Sequence, residues 1–165
     1  MKIAICGGIC SGKTTLSEKL KKDLNLELYS FAFNVKKYCN KFFNMNYKNR
    51  KLIQDFAEKM KEIDENIWIN LLDKKINNKN NIIIDDLRFK NEYDYLKSKG
   101  FYIIKLIINK EEQIKRIKKL YKENYNEHLE RLEHISELNI NNLKCDLEIE
   151  SNDDLYSNIR TIINF

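Results

Sequence analysis

Gly7, Gly8 and Gly12 are three of the four glycines in this chain of 165 residues. They fall in one stretch, Gly7-Gly8-Ile9-Cys10-Ser11-Gly12-Lys13-Thr14. Glycines let a backbone turn sharply and approach an anion closely, so that successive N–H groups can point at phosphate oxygens. The apolar run Ile3-Ala4-Ile5-Cys6 precedes the stretch, and the helix-period segment Leu16-Ser17-Glu18-Lys19-Leu20 follows it. A helix start places partial positive charge beneath the same phosphates. The spacing is that of the G-x-x-x-x-G-K-[ST] phosphate loop in its strand–loop–helix setting. Lys13 is expected on the β/γ-phosphates of a nucleoside triphosphate and Thr14 on Mg²⁺. Gly8, Cys10, Ser11, Gly12 and Thr15 complete the expected ATP cradle.

A second group follows the apolar run Ile82-Ile83-Ile84, which ends in Asp85-Asp86-Leu87-Arg88-Phe89. A carboxylate at the carboxyl end of a strand can hold the hydration shell of Mg²⁺, and an arginine two residues on can clamp a phosphoryl group through two parallel hydrogen bonds. Paired with a phosphate loop upstream, these residues read as parts of a phosphoryl-transfer site.

The elements that must position these groups alternate. Strands are expected at 2–6, 26–29, 81–85, 101–108 and 146–150, and helices at 13–23, 33–43, 49–63, 66–77, 90–99, 110–122 and 153–163. Strands apolar throughout imply a sheet covered on both faces. Regular β/α alternation implies a parallel, doubly wound α/β sheet whose ligands bind beyond the carboxyl ends of the strands. The length suits one domain, 1–165. Residues 31–77 and 109–138 exceed a plain β/α unit, the first reading as an acceptor-binding helical segment and the second as a lid. Gly100 is placed to stop the helix before it.

Composition excludes other classes. The longest apolar run, Ile103-Ile104-Lys105-Leu106-Ile107-Ile108, is too short and too charged to span a membrane. The net charge is +5, but lysines are scattered among acids, so no polymeric nucleic acid is expected as a partner. Cys6, Cys10, Cys39 and Cys145 lack C-x-x-C spacing, which indicates neither zinc nor a disulfide framework. Met1 leads directly into the first strand, leaving no room for a signal peptide, so a cytoplasmic location is expected, in host cytoplasm or a viral factory if the source is viral.

Asp86-Leu87-Arg88-Phe89-Lys90-Asn91-Glu92 resembles the D-V-R-F-x-N-E signature of deoxynucleoside monophosphate kinases from bacteriophages and large DNA viruses. Ser30-Phe31-Ala32-Phe33-Asn34-Val35-Lys36 is similar to their S-F-A-x-x-x-K segment. Arg50-Lys51-Leu52-Ile53-Gln54 with Asp64-Glu65-Asn66-Ile67-Trp68 is similar to their R-x-x-L-Q helix and downstream D-x-x-x-W. His134-Ile135-Ser136-Glu137 matches their H-x-S-E, and the segment from Cys145 to Leu155 resembles a final strand and turn common among nucleotide kinases. The segments occur in family order along nearly the whole chain. Lys61 stands near a position where an arginine is usual.

The resemblance implies a P-loop fold like that of nucleoside monophosphate kinases, with a five-stranded parallel sheet flanked by helices. It implies transfer of the γ-phosphoryl group of ATP, with Mg²⁺, to a deoxynucleoside monophosphate in nucleotide precursor synthesis. Lys13 and Arg88 would bracket the transferring group, with Asp86 and the lid residue Arg116 in catalysis. Thr14, and Asp86 through water, would hold the metal. Phe31 or Phe33, Lys36, Arg50, Gln54, Trp68, Asp86, Arg88, Glu92, His134 and Glu137 would bind the monophosphate, and Asn152 would lie near the adenine. The expected partners are these small molecules, with a homodimer left open. The alternative is another small-molecule P-loop kinase, of the phosphomevalonate or dephospho-coenzyme A type. A GTPase switch is disfavoured. Asn109-Lys110-Glu111-Glu112 carries glutamate where N-K-x-D needs aspartate, and no D-x-x-G follows Ile84.

Overall fold

The computed structural model describes residues 1–44, 49–130, 132, 139–140 and 142–152. The elements run β1 (Lys2–Gly7), α1 (Lys13–Asp23), β2 (Glu27–Tyr29), α2 (Phe31–Phe43), α3 (Arg50–Ile63), α4 (Ile67–Ile76), β3 (Ile82–Leu87), α5 (Lys90–Ser98), β4 (Tyr102–Ile107), α6 (Lys110–Tyr121), α7 (Tyr125–Glu130) and β5 (Leu147–Glu150). The five strands pair in the order β2-β3-β1-β4-β5, all parallel. The chain therefore reverses its direction of winding beside β1, and the crevice there opens beyond the strand ends. It is the five-stranded parallel sheet flanked by helices expected from the sequence.

Side chains alternate across the sheet with the two-residue period of a strand. Ile82 and Ile84 of β3 join Ala4, Phe31, Leu72, Leu96 and Ile103 in one core. Ile83 points the other way, into a core with Ile3, Ile5, Leu16, Leu20 and Ile104. Each central strand is thus buried on both faces, which explains why Ile82-Ile83-Ile84 is apolar without interruption. The β1–β3 register shifts between Ala4 and Cys6, so that Cys6 lies opposite Leu87.

Three helix starts carry side-chain caps. Ser30 Oγ accepts from Phe33 N at 3.1 Å, which brings the start of α2 forward to Phe31 from the expected 33. Asn49 and Asn109 cap α3 and α6 in the same way, accepting from Leu52 N and Glu112 N. Gly100, at φ 77°, follows α5 in the left-handed conformation that suits glycine after a helix. α7 was not expected from the sequence. Its six residues are held to α6 by His128, whose ring stacks on Tyr121 at 3.4 Å between centroids. The helix expected at 153–163 lies outside the described residues. Among the described residues, no helix is long and apolar enough to cross a membrane.

Candidate active site

The phosphate loop joins β1 to α1 beneath the crevice. Gly7 has φ 150°, and a Cβ there would meet Ser11 Oγ at 2.7 Å and the Leu106 carbonyl at 2.8 Å, so only glycine fits. Gly12, at φ 90°, opens α1. Lys13 Nζ donates to the carbonyls of Gly7 and Gly8 at 2.6 and 2.7 Å, arching back over the loop. Ser11 N–H closes a turn onto Gly8 O at 3.2 Å. The Ser11 hydroxyl is fully buried and has no hydrogen-bond partner among the described residues.

Two cavities flank this loop. The first, of about 550 Å³, has Cys10, Lys13 and Thr14 at its floor. Its apolar wall includes Phe31, Val35, Ile53, Trp68 and Phe89, and its cations are Lys13, Lys36, Lys61 and Arg88. The second, of about 510 Å³, lies on the other side of the loop between Gly12, Thr15, Arg116 and Asn152. The volumes are those of small-molecule sites.

Helices α2 to α4 carry the apolar wall of the first cavity. Phe31 is buried there, whereas Phe33 is 54% exposed and outside the lining, with the Lys75 ammonium over its ring at 4.2 Å. Trp68 is buried, donates from Nε1 to Ala57 O at 3.2 Å and packs on Phe56. Gln54 reaches the cavity from α3 and donates to Glu58 at 3.4 Å. Arg50 opens α3; its side chain lies outside the described part, as do His134 and Glu137.

The two adjacent carboxylates at the end of β3 take different directions. Asp85 Oδ2 accepts from Ser17 Oγ of α1 at 3.3 Å. Asp86 accepts from the first two N–H groups of α2, Phe31 at 3.0 Å and Ala32 at 2.9 Å, one on each oxygen. Expected as the metal-side carboxylate, Asp86 is bonded to the start of α2 instead, and Asp85 is the one bonded to the phosphate-loop helix. Burial raises the carboxyl of Asp85, against the lowering effect of the Ser17 hydrogen bond and the Lys13 and Lys36 charges. Burial pushes Asp86 up to about 6, opposed chiefly by the Ala32 N–H.

Glu92 is buried, and its Oε2 accepts from Arg88 N at 3.0 Å and Phe89 N at 3.1 Å. It thereby fixes the backbone from which the Arg88 side chain departs. Burial, with the nearby charge of Asp86, pushes Glu92 up to about 7. Lys61 lies with its ammonium 3.3 Å from the centre of the Phe89 ring, and burial lowers its pKa.

Mg²⁺ takes one or two protein ligands and leaves its other positions to water and phosphate oxygens. Thr14 and Asp85 line one cavity beside Lys13 and supply that hard-oxygen donor set. Among the described residues, no cluster of three or more His, Cys, Asp or Glu side chains forms a dedicated cage. The residues fit a metal carried in on a phosphate.

A family model described as AAA domain matches residues 3–138. The chain belongs to the AAA domain family. No curated protein sequence matches it. Among solved structures, it is similar to shikimate kinase from Aquifex aeolicus at 18% identity and TM-score 0.56, covering 99% of this chain and 96% of that one. It is similar to shikimate kinase from Bacteroides thetaiotaomicron at 11% identity and TM-score 0.59, covering 100% and 99%. A gluconokinase from Sinorhizobium meliloti is similar at 9% identity and TM-score 0.56, covering 96% and 87%. At such identities the likeness is one of fold, the P-loop kinase fold.

In this AAA domain, α6 grips the phosphate loop from the side of the second cavity. Arg116 donates from Nε to Glu112 at 2.8 Å, from Nη1 to Ser151 Oγ at 2.7 Å and from Nη2 to Ser151 O at 3.0 Å. Expected over the transferring phosphate, its guanidinium instead forms a wall of the second cavity beside Asn152. Sequence reasoning did not single out Asp85 over Asp86, nor Ser17, Gln113 or Tyr121. Strand parity signals Asp85. No local motif signals Tyr121, which reaches the first cavity from the far end of α6.

Proposed function

We propose that the chain transfers the γ-phosphoryl group of ATP to a deoxynucleoside monophosphate, giving the diphosphate and ADP. One observation carries this reading: a cavity of about 550 Å³ that shares its floor with the phosphate loop and combines an aromatic wall with Lys36, Lys61 and Arg88. A flat apolar base suits Phe31 and Trp68, and a monophosphate suits the cations. The motif resemblance from Asp86 to Glu92 supports a deoxynucleotide acceptor. The second cavity then takes the nucleoside of ATP, with Arg116 and Asn152 at its wall.

The chemistry asks for alignment and charge neutralisation rather than a covalent nucleophile. An acceptor phosphate oxygen attacks the γ-phosphorus, the bond to the bridging oxygen breaks, and ADP leaves with that electron pair. Lys13 moves from the Gly7 and Gly8 carbonyls onto the phosphates and offsets their charge. Arg88 clamps the transferring group from the acceptor side, on a backbone fixed by Glu92. Thr14 and Asp85 would hold Mg²⁺, which when bound neutralises the β- and γ-oxygens. Asp86 acts indirectly, fixing the start of α2 and with it Phe31 and Lys36.

Coupled ADP release tests the reading, with each of the four common deoxynucleoside monophosphates, AMP, phosphomevalonate, dephospho-coenzyme A, shikimate and gluconate as acceptors. Turnover with at least one deoxynucleotide is expected. Turnover confined to phosphomevalonate, dephospho-coenzyme A, shikimate or gluconate overturns it.

A further inference from the structure

Residues Gly8 to Ser11 form a four-residue turn closed by Ser11 N–H on Gly8 O. Cys10, third in that turn, has φ 60°, while Ile9 before it has no positive φ. These signs are those of a type II turn, whose third position is normally glycine or asparagine. A type I turn joins the same ends with its central peptide rotated by about half a turn, and it gives the third residue an ordinary negative φ. A residue with a Cβ favours that alternative by roughly tenfold. Something outside the turn must therefore hold the Ile9–Cys10 peptide as it stands.

α6 supplies the hold. Gln113 Nε2 donates to Ile9 O at 2.8 Å, and Arg116 Nη1 reaches Cys10 O at 3.4 Å, the first being much the better bond. The peptide is trans, so with its carbonyl drawn to α6 its N–H faces the other way. We propose that Gln113 is a positioning residue that locks the Ile9–Cys10 peptide with the Cys10 N–H turned into the phosphate cradle. Released from Gln113, the turn relaxes toward type I. The carbonyl then faces the cradle and repels a phosphate. The lock rests on the reading that this loop holds the triphosphate of ATP.

Titration calorimetry on the full chain with MgATP and with inorganic tripolyphosphate tests it. Gln113→Leu removes the donor, and Gln113→Glu keeps the size while presenting only acceptors when ionised. Both are expected to weaken either ligand by roughly tenfold, with kcat at saturating ATP within about threefold of the parent. The decisive comparison is the same change in a Cys10→Gly background. Glycine accepts positive φ without cost, so the Gln113→Leu penalty should fall below about threefold there. A purely structural role for Gln113 predicts the same penalty in both backgrounds, and that result overturns the lock. Parent-like tripolyphosphate affinity in Gln113→Leu also overturns it. A parent chain that binds neither ATP nor tripolyphosphate refutes the triphosphate reading, and the lock with it.

Discussion

Replacing Glu92 by glutamine should stabilise the protein above neutral pH and do nothing below pH 5. Two effects oppose each other at this carboxylate. The N–H groups of Arg88 and Phe89 and the start of α5 favour its ionised form, while burial and the charge of Asp86 favour the protonated one. Burial wins, and the group moves from its ordinary 4.5 to about 7. The folded state therefore binds more protons than the unfolded state between those values, so stability falls as pH rises through that window. The favourable contribution is complete below pH 4.5 and lost above about 7. At about 1.4 kcal/mol per pH unit, the difference amounts to roughly 3 kcal/mol. Glutamine retains an acceptor for both N–H groups and carries no charge. Urea and thermal unfolding of both proteins between pH 5 and 8.5 should show a gap that opens with pH, reaching roughly 6–12 °C in Tm for a chain of this size. A gap independent of pH, or a glutamine variant less stable at pH 8, would refute the reasoning and show that the ionised cap outweighs burial.

Arg88→Ala should lower kcat roughly a thousandfold while MgATP affinity, measured by calorimetry, stays within a fewfold of the parent; weakened ATP binding at unchanged rate would put Arg88 on the donor instead. If the first cavity takes the acceptor, Lys61→Met should raise the KM for the acceptor roughly tenfold with little change in kcat, because its ammonium lies over the Phe89 ring in that cavity. Asp86→Ala deprives the Phe31 and Ala32 N–H groups of their acceptor and should cost about 2–3 kcal/mol in urea unfolding at pH 8; an unchanged midpoint would mean that those bonds contribute nothing.

Much of this molecule is legible in its sequence because local rules and tertiary demands agree. The glycine spacing from Gly7 to Gly12 admits few conformations, and the uninterrupted Ile82-Ile83-Ile84 can only be a strand covered on both faces. Where the reading missed, the deciding interaction was one that no motif spells out. Phe31 and Phe33 look equivalent as aromatic residues near the start of a helix. The cap by Ser30 sets the helix phase, burying the first and leaving the second 54% exposed. Arg116 has the type and place of a lid cation, but Ser151, 35 positions away, holds its guanidinium at the wall of the second cavity. α7 depends on the ring stack between His128 and Tyr121, and no six-residue periodicity announces such a contact.

The Asp85–Asp86 pair differs from these cases, since its members part within the strand itself. Consecutive residues of a strand face opposite sides of the sheet. Ile83 lies in the core under α1, so Asp85, two residues on, shares the face of α1 and meets Ser17. Ile84 lies in the core with Phe31, so Asp86 shares the face of α2 and meets its first N–H groups. One step along β3 thus assigns one carboxylate to the phosphate-loop helix α1 and the next to the start of α2. The β1–β3 register shift spans this same pair, between Ala4–Ile84 and Cys6–Leu87, and it returns Leu87 to the core of Ile84 rather than that of Ile83. With Leu87 anchored there, the chain leaves the sheet at Arg88, where Glu92 takes hold of its backbone. Two acids and an arginine within four residues can therefore serve two ligands. Exchanging Asp85 and Asp86 separately for alanine should separate the effects, loss of metal-dependent turnover for the first and loss of α2 anchoring for the second.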